Sequence, residues 1–132
     1  MARESALKNK KWNREFKSKI LPELEQFAYE DEKYIVRPIR TKEEFVAEGK
    51  NNRNCVARYA SDAFLGRTKI FVLRDAKTPN ISYVTIELSR DNKKILQCLE
   101  TGNRIPPDEV REWVDNWLKK IVQDKKRRRK AA

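Results

Sequence analysis

Three β-type runs in the middle of the chain leave little choice of fold: "TKIFVLRD" (68–75), "ISYVTIELS" (81–89) and "KKILQCLETG" (93–102). Each is rich in β-branched and aromatic residues, and turn formers separate them. Pro79 and Asn80 lie in the first connection, and the second is the tight "RDNK" (90–93). Neither connection is long enough for a crossover helix, so the runs predict an antiparallel meander. "KYIVRPI" (33–39) supplies a fourth extended segment, and Pro38 predicts an edge or terminal strand, because proline has no N–H to give to a ladder.

Helical patterns flank this sheet. Leu7, Trp12, Phe16, Ile20, Leu24 and Phe27 follow the three- and four-residue steps of one helical face. Pro22 divides that stretch into two helices, because proline disfavours helical geometry before it and fits a first helical turn. Thr41 and Glu44 have capping-box spacing for a central helix that Gly49 would end. Asn52 or Asn54 can cap a second central helix, Cys55 to Leu65, stopped by Gly66. Pro106, Pro107 and Asp108 start a last helix whose apolar stripe is Val110, Trp113, Trp117 and Ile121. The expected class is α+β: a three- to four-stranded antiparallel sheet packed with N-terminal, central and C-terminal helices. Alternation along the strands puts Val84, Ile86, Leu88, Leu96 and Cys98 on one face and Thr85, Glu87, Ile95, Gln97 and Leu99 on the other. Few charges occupy the second face, so it too is expected to be covered.

Charge divides the chain differently. Its net charge is +11, yet residues 20–124 hold eighteen basic and eighteen acidic residues. Residues 1–19 hold seven basic residues against two acidic, and Lys125–Lys130 is wholly basic. The expected organisation is a basic N-terminal helical arm (1–19), one α+β domain (20–124) and a basic tail (125–132) expected to be disordered. Clustered cations at both ends suit a polyanion, since neutralising phosphates releases counterions. Such ends can also serve solubility alone, and "KKRRRK" has the composition of a nuclear import signal. No run of about 18 apolar residues and no apolar N-terminal segment occurs, so the expectation is an intracellular, cytoplasmic protein with reduced thiols and no membrane contact.

The absence of histidine excludes Cys/His and Ser/His nucleophile pairs and histidine-ligated zinc. Cys55 and Cys98 lack the two further ligands of a structural zinc site, and no metal or cofactor is expected. Cys55 lies in the first turn of an expected helix between Arg53 and Arg58, which would favour a thiolate; packing in a core is the plainer role for both cysteines.

From Asn54 to Trp117 the chain resembles the PcfJ-like domain of phages, conjugative plasmids and related mobile elements. The resemblance rests on "CVARYA", Gly66, "IFVLRD", Pro79, "YVTIEL", "ILQC" and Gly102-Asn103, followed by a helix with a late tryptophan. The matching positions are Cys55, Val56, Tyr59, Gly66, Arg74, Thr85, Glu87, Gln97 and Asn103. Asn54 stands where the family usually has histidine and Ala57 where it usually has glycine, which weakens an acid/base or metal role for that site here.

Among these positions Cys55, Tyr59, Arg74, Thr85, Glu87, Gln97 and Asn103 form a candidate pocket, with Arg74 aimed toward Glu87. A carboxylate facing an arginine and amides suits a ligand, and it equally suits a satisfied buried network. A metal-dependent nuclease would need a second acidic ligand, but Asp75 and Asp91 fall at a strand end and in a turn. The expected function is non-enzymatic nucleic-acid binding, an accessory role in a mobile element, with DNA or RNA as partner and no catalytic residue assigned. Phosphate contacts would come from Lys8, Lys10, Lys11, Arg14, Lys17, Lys19, Arg53, Arg58, Arg67, Lys125, Lys126, Arg127, Arg128, Arg129 and Lys130. Trp12 and Phe16 could stack on bases, or simply anchor their helix to the core. The alternatives are a protein-binding inhibitor of a host nucleic-acid-targeting defence complex and a small enzyme using Glu87, Arg74 and Gln97.

Overall fold

A computed structural model describes the backbone of residues 2–51 and 59–123 and the side chains of residues 7–50 and 59–123. Helix α1 spans Ala2–Lys19 and α2 spans Leu21–Glu25 with Pro22 in its first turn. A continuous helix would drive the Pro22 ring into the Ser18 carbonyl, so the chain breaks at Ile20. Strands β1 (Tyr29–Glu30) and β2 (Tyr34–Pro38) form a hairpin, and Asp31 Oδ1 accepts the N–H groups of Lys33 and Tyr34 at 2.8 and 2.9 Å across its turn. Helix α3 is Lys42–Asn51, α4 is Ala60–Phe64, and strands β3 (Lys69–Asp75), β4 (Val84–Leu88) and β5 (Ile95–Glu100) follow. Helix α5 (Asp108–Trp117) continues as a π-type segment, Leu118–Gln123.

The α+β class and the meander hold, with five strands in the order β1-β2-β3-β4-β5 and every pairing antiparallel. The additional strand is β1, two residues in the charged stretch "YEDEK" that carries no alternating pattern. Pro38 closes β2 opposite Phe71, beyond the reach of β1, so its missing N–H costs no bond to that strand.

Local signals act largely as their chemistry requires. Thr41 Oγ1 accepts the Glu44 N–H at 3.0 Å, the first half of a capping box. The Glu44 carboxylate takes the Arg40 N–H at 2.8 Å and the Arg37 guanidinium at 2.8 and 2.9 Å instead of the Thr41 N–H. Burial pushes the Glu44 carboxyl upward, but those bonds and the Arg37 charge outweigh it and hold it below the ordinary range. Gly49 does not stop α3: glycine ends a helix by turning left-handed, and here the helix runs on to Asn51 with Gly49 buried inside it. Gly66 does act as a stop, at φ +73° after α4. The described part of the second central helix is short, and residues 52–58 of its expected span lie outside the described residues.

Both faces of the sheet are covered, as six consecutive buried residues of β3, Lys69 to Arg74, require. On one face Phe71 takes Trp117 of α5 edge-on at 5.1 Å and Phe27 at 6.4 Å, while Trp117 Nε1 donates to the Phe27 carbonyl at 2.8 Å. On the other, Glu48 of α3 reaches strands β3 and β4. Helix α1 joins α3 and α4 through aromatic side chains: Trp12 stacks on Phe16 at 4.8 Å and contacts Phe45 and Phe64. Phe16 is fully buried, so α1 packs on the domain even though its charge sets it apart.

One register differs from simple alternation. A bulge between Glu87 and Leu88 pairs Leu88 with Ile95, so Leu96 is the extra residue. Leu96, expected beside Cys98 on a buried face, is 51% exposed, and Ile95 packs against the core in its place. Phe71 carries the junction of sheet, α5 and the chain after α2; Phe71→Ala should cost about 3–5 kcal/mol, read from the midpoint of urea unfolding.

Candidate functional site

The most concentrated polar arrangement inside the molecule centres on Glu48, which sits three residues after buried Phe45 and so on the same side of α3. Arg74, near the end of β3, donates to it twice: Nη1 to Oε1 at 3.1 Å and Nη2 to Oε2 at 2.6 Å. Thr85 Oγ1 adds a bond to Oε1 at 3.1 Å and Ser82 Oγ one to Oε2 at 3.2 Å. The Glu48 and Arg74 side chains are 2% and 7% exposed. Two guanidinium N–H groups and two hydroxyls thus converge on the two carboxylate oxygens, a clamp between α3, β3 and β4.

Glu48 is not among the residues that the sequence marks as a candidate site. Its signal is the apolar face Phe45-Glu48-Gly49 together with an arginine inside an apolar strand, a charge that demands a buried carboxylate. Arg74 is not aimed at Glu87. Glu87 pairs with Ile70, four residues and therefore about 13 Å back along β3, and its Oε2 accepts the Thr68 hydroxyl at 2.6 Å. Gln97 faces Glu87 across β4 and β5 but is exposed. Asn103 is exposed too, in a 3-10 turn (Thr101–Asn103) where Gly102 and Asn103 have φ +75° and +61°. Tyr59 is half-buried against the core. The candidate pocket is thus divided: Arg74 and Thr85 meet on Glu48, Glu87 and Gln97 are neighbours elsewhere, and Asn103 stands apart. Cys55, Arg53, Arg58 and Lys125–Lys130 lie outside the described residues.

The expected phosphate-contacting residues of α1 have a consistent setting. Lys8, Lys10, Lys11, Arg14, Lys17 and Lys19 are all exposed, and Trp12 and Phe16 are committed to the aromatic cluster. Arg67 is exposed as well, 3.9 Å from Asp62. Among the described residues no group of three or more acidic or cysteine side chains is arranged to hold a metal ion, and no helix is long and apolar enough to cross a membrane.

The model of the family described as PcfJ-like protein matches residues 2–115, most of the chain. The chain belongs to the PcfJ-like family. The match begins ahead of the motifs that carried the resemblance and takes in α1, in keeping with the packing of Phe16. No curated protein and no solved structure shows significant similarity to the chain. Among the family-marking positions, Gly66 supplies a left-handed helix stop, and Arg74 and Thr85 supply the clamp on Glu48.

Glu48→Gln should cost about 3–5 kcal/mol by leaving the Arg74 guanidinium buried against a neutral amide. The double change Glu48→Leu, Arg74→Met should recover much of that stability, and a double-mutant cycle in urea measures the difference. Cys98 gives a second test. Burial pushes its thiol up to about 11, so the protonated form persists through neutral pH. In a Cys55→Ala background, iodoacetamide should alkylate Cys98 at pH 8 about a hundredfold more slowly than a free thiol, with the rate climbing as pH rises towards that value.

Proposed function

We propose that this PcfJ-like protein is a non-enzymatic nucleic-acid-binding accessory protein of a mobile genetic element. The observation that carries the reading is the division of labour on α1. Its aromatic residues are used up in the core, and its six described cations stand exposed on a helix about 27 Å long. Glu15 is the only acid among the described side chains of that helix. Lys8, Lys11 and Arg14 recur every third residue along one side of the helix, where they can meet phosphates together, and the basic run 125–130 supplies a second cluster. Contacts of this kind fix position on a polyanion and read no sequence.

A second reading, a protein-binding inhibitor of a host nucleic-acid-targeting complex, draws on the open edge of the sheet at β5. The small-enzyme alternative loses its footing, because Glu87, Arg74 and Gln97 do not converge on a common point.

Electrophoretic mobility shifts with random duplex and single strands, at about 50 and 200 mM salt, test the leading reading. The charge reversal Lys8→Glu, Lys11→Glu, Arg14→Glu should weaken binding and reduce the slope of log affinity against log salt by about 0.9 for each duplex phosphate no longer neutralised. Deleting Lys125–Lys130 should flatten it further. Full-strength binding by both variants, or no binding by the parent chain at low salt, rejects the proposal.

A further inference from the structure

Among the described residues β5 has no strand beyond it at this end of the sheet, and beside it runs a groove of about 560 Å³ between β5 and α5. That volume falls in the range of specific ligand sites. Its floor is apolar, built from Ile95, Cys98, Val114 and Leu118, and Ile105 lies at its margin, 70% exposed. The bulge pushes Leu96 out beside it. The charged lining is Lys93, Lys94 and Arg111 against Asp115, and none of these four forms an ion pair among the described residues.

The backbone narrows the choice of occupant. Glu100 exchanges N–H and C=O bonds with Arg104 at 2.8 and 3.3 Å on the side away from β4. Outward groups recur every second residue along a strand, so the N–H and C=O of Cys98 also face outward, next to the groove. A second copy of this chain would bring its own β5, with Lys93 and Lys94 and the single acid Glu100, to a lining that is already cationic. A polynucleotide could meet the cations but would gain nothing from an apolar floor and a backbone ladder.

We propose that β5 receives an extended segment of a partner protein as a sixth strand, in which every second side chain faces α5 and that row carries both apolar and acidic residues. Its backbone pairs with Cys98. The apolar members of the row fill the floor between Ile95 and Leu118, and its carboxylates meet Arg111 and the lysines Lys93 and Lys94 that line the same groove. This is strand addition at a sheet edge, in which the main chain supplies affinity and the pockets supply specificity.

A random peptide library displayed on phage, selected against the full-length protein, supplies the probe. Enriched peptides should carry acidic and apolar residues two positions apart, and a synthetic copy should shift the amide resonances of Leu96 and Cys98 in nitrogen-15-labelled protein. Lys94→Glu with Arg111→Glu should weaken that peptide at least about tenfold. Cys98→Pro, which removes the outward N–H at a position where an edge strand tolerates proline, should abolish binding with the other β5 amide resonances in place, whereas Cys98→Ala should retain it. The proposal is overturned by selection without an acidic bias, by shifts that map elsewhere, by equal binding of the alanine and proline variants, or by displacement of the peptide with a random oligonucleotide. Each outcome is read in the Lys8→Glu, Lys11→Glu, Arg14→Glu background, so that nucleic-acid binding by α1 does not enter it.

Discussion

The ion pair between Glu48 and Arg74 is the constraint around which the rest of the domain is arranged. Neither charge could enter the interior alone, and each limits where the other's element can lie. Helix α3 must approach the sheet closely enough for a bidentate contact, and β3 must present Arg74 on that face. Because strand residues alternate, a slip of one position would turn Arg74 toward α5 and Phe71 toward α3. The pair therefore opposes register errors in the central strand, and the hydroxyls of Ser82 and Thr85 extend the same constraint to β4 and the chain leading into it.

The same pair separates what is legible in the sequence from what is not. Signals confined to neighbouring residues are legible: the Pro22 break, the Thr41 cap, the Gly66 stop and the strands from Lys69 to Glu100 all depend on local chemistry. What escapes depends on groups distant in sequence. Glu48 and Arg74 are twenty-six residues apart, and nothing local marks them as partners. Gly49 has the look of a stop, as any glycine late in a helix does unless tertiary packing carries the helix on. Strict alternation misplaces Leu96 because it cannot register one extra residue. Strand β1 escapes because two charged-flanked residues form a strand only where β2 offers them a ladder.

Division of roles by helical face runs through the molecule. On α1 the aromatic side is engaged by Phe45 and Phe64, and that commitment leaves its cations on the remaining, exposed surface of the helix. On α5 the apolar side closes over Phe71, with Trp113 tied to Asp31 by a 2.8 Å bond that joins the helix to the β1–β2 turn. In both cases the interior sets the direction of the surface.

The two ends of the sheet are governed by a related constraint. An unpaired edge invites association, and folds restrain it by keeping edges short, charged, bulged or covered. Strand β1 is restrained by its length and by Glu30. Strand β5 is three times as long, yet a bulge interrupts it at Leu96 and Arg104 covers it at Glu100. Between those two devices lies a short stretch centred on Cys98 that no described residue pairs with on its outer side, flanked by cations and floored by apolar side chains. Restraint at both limits with openness in the middle selects against a long, self-propagating strand and leaves room for a short one. That is the combination the proposed strand addition needs.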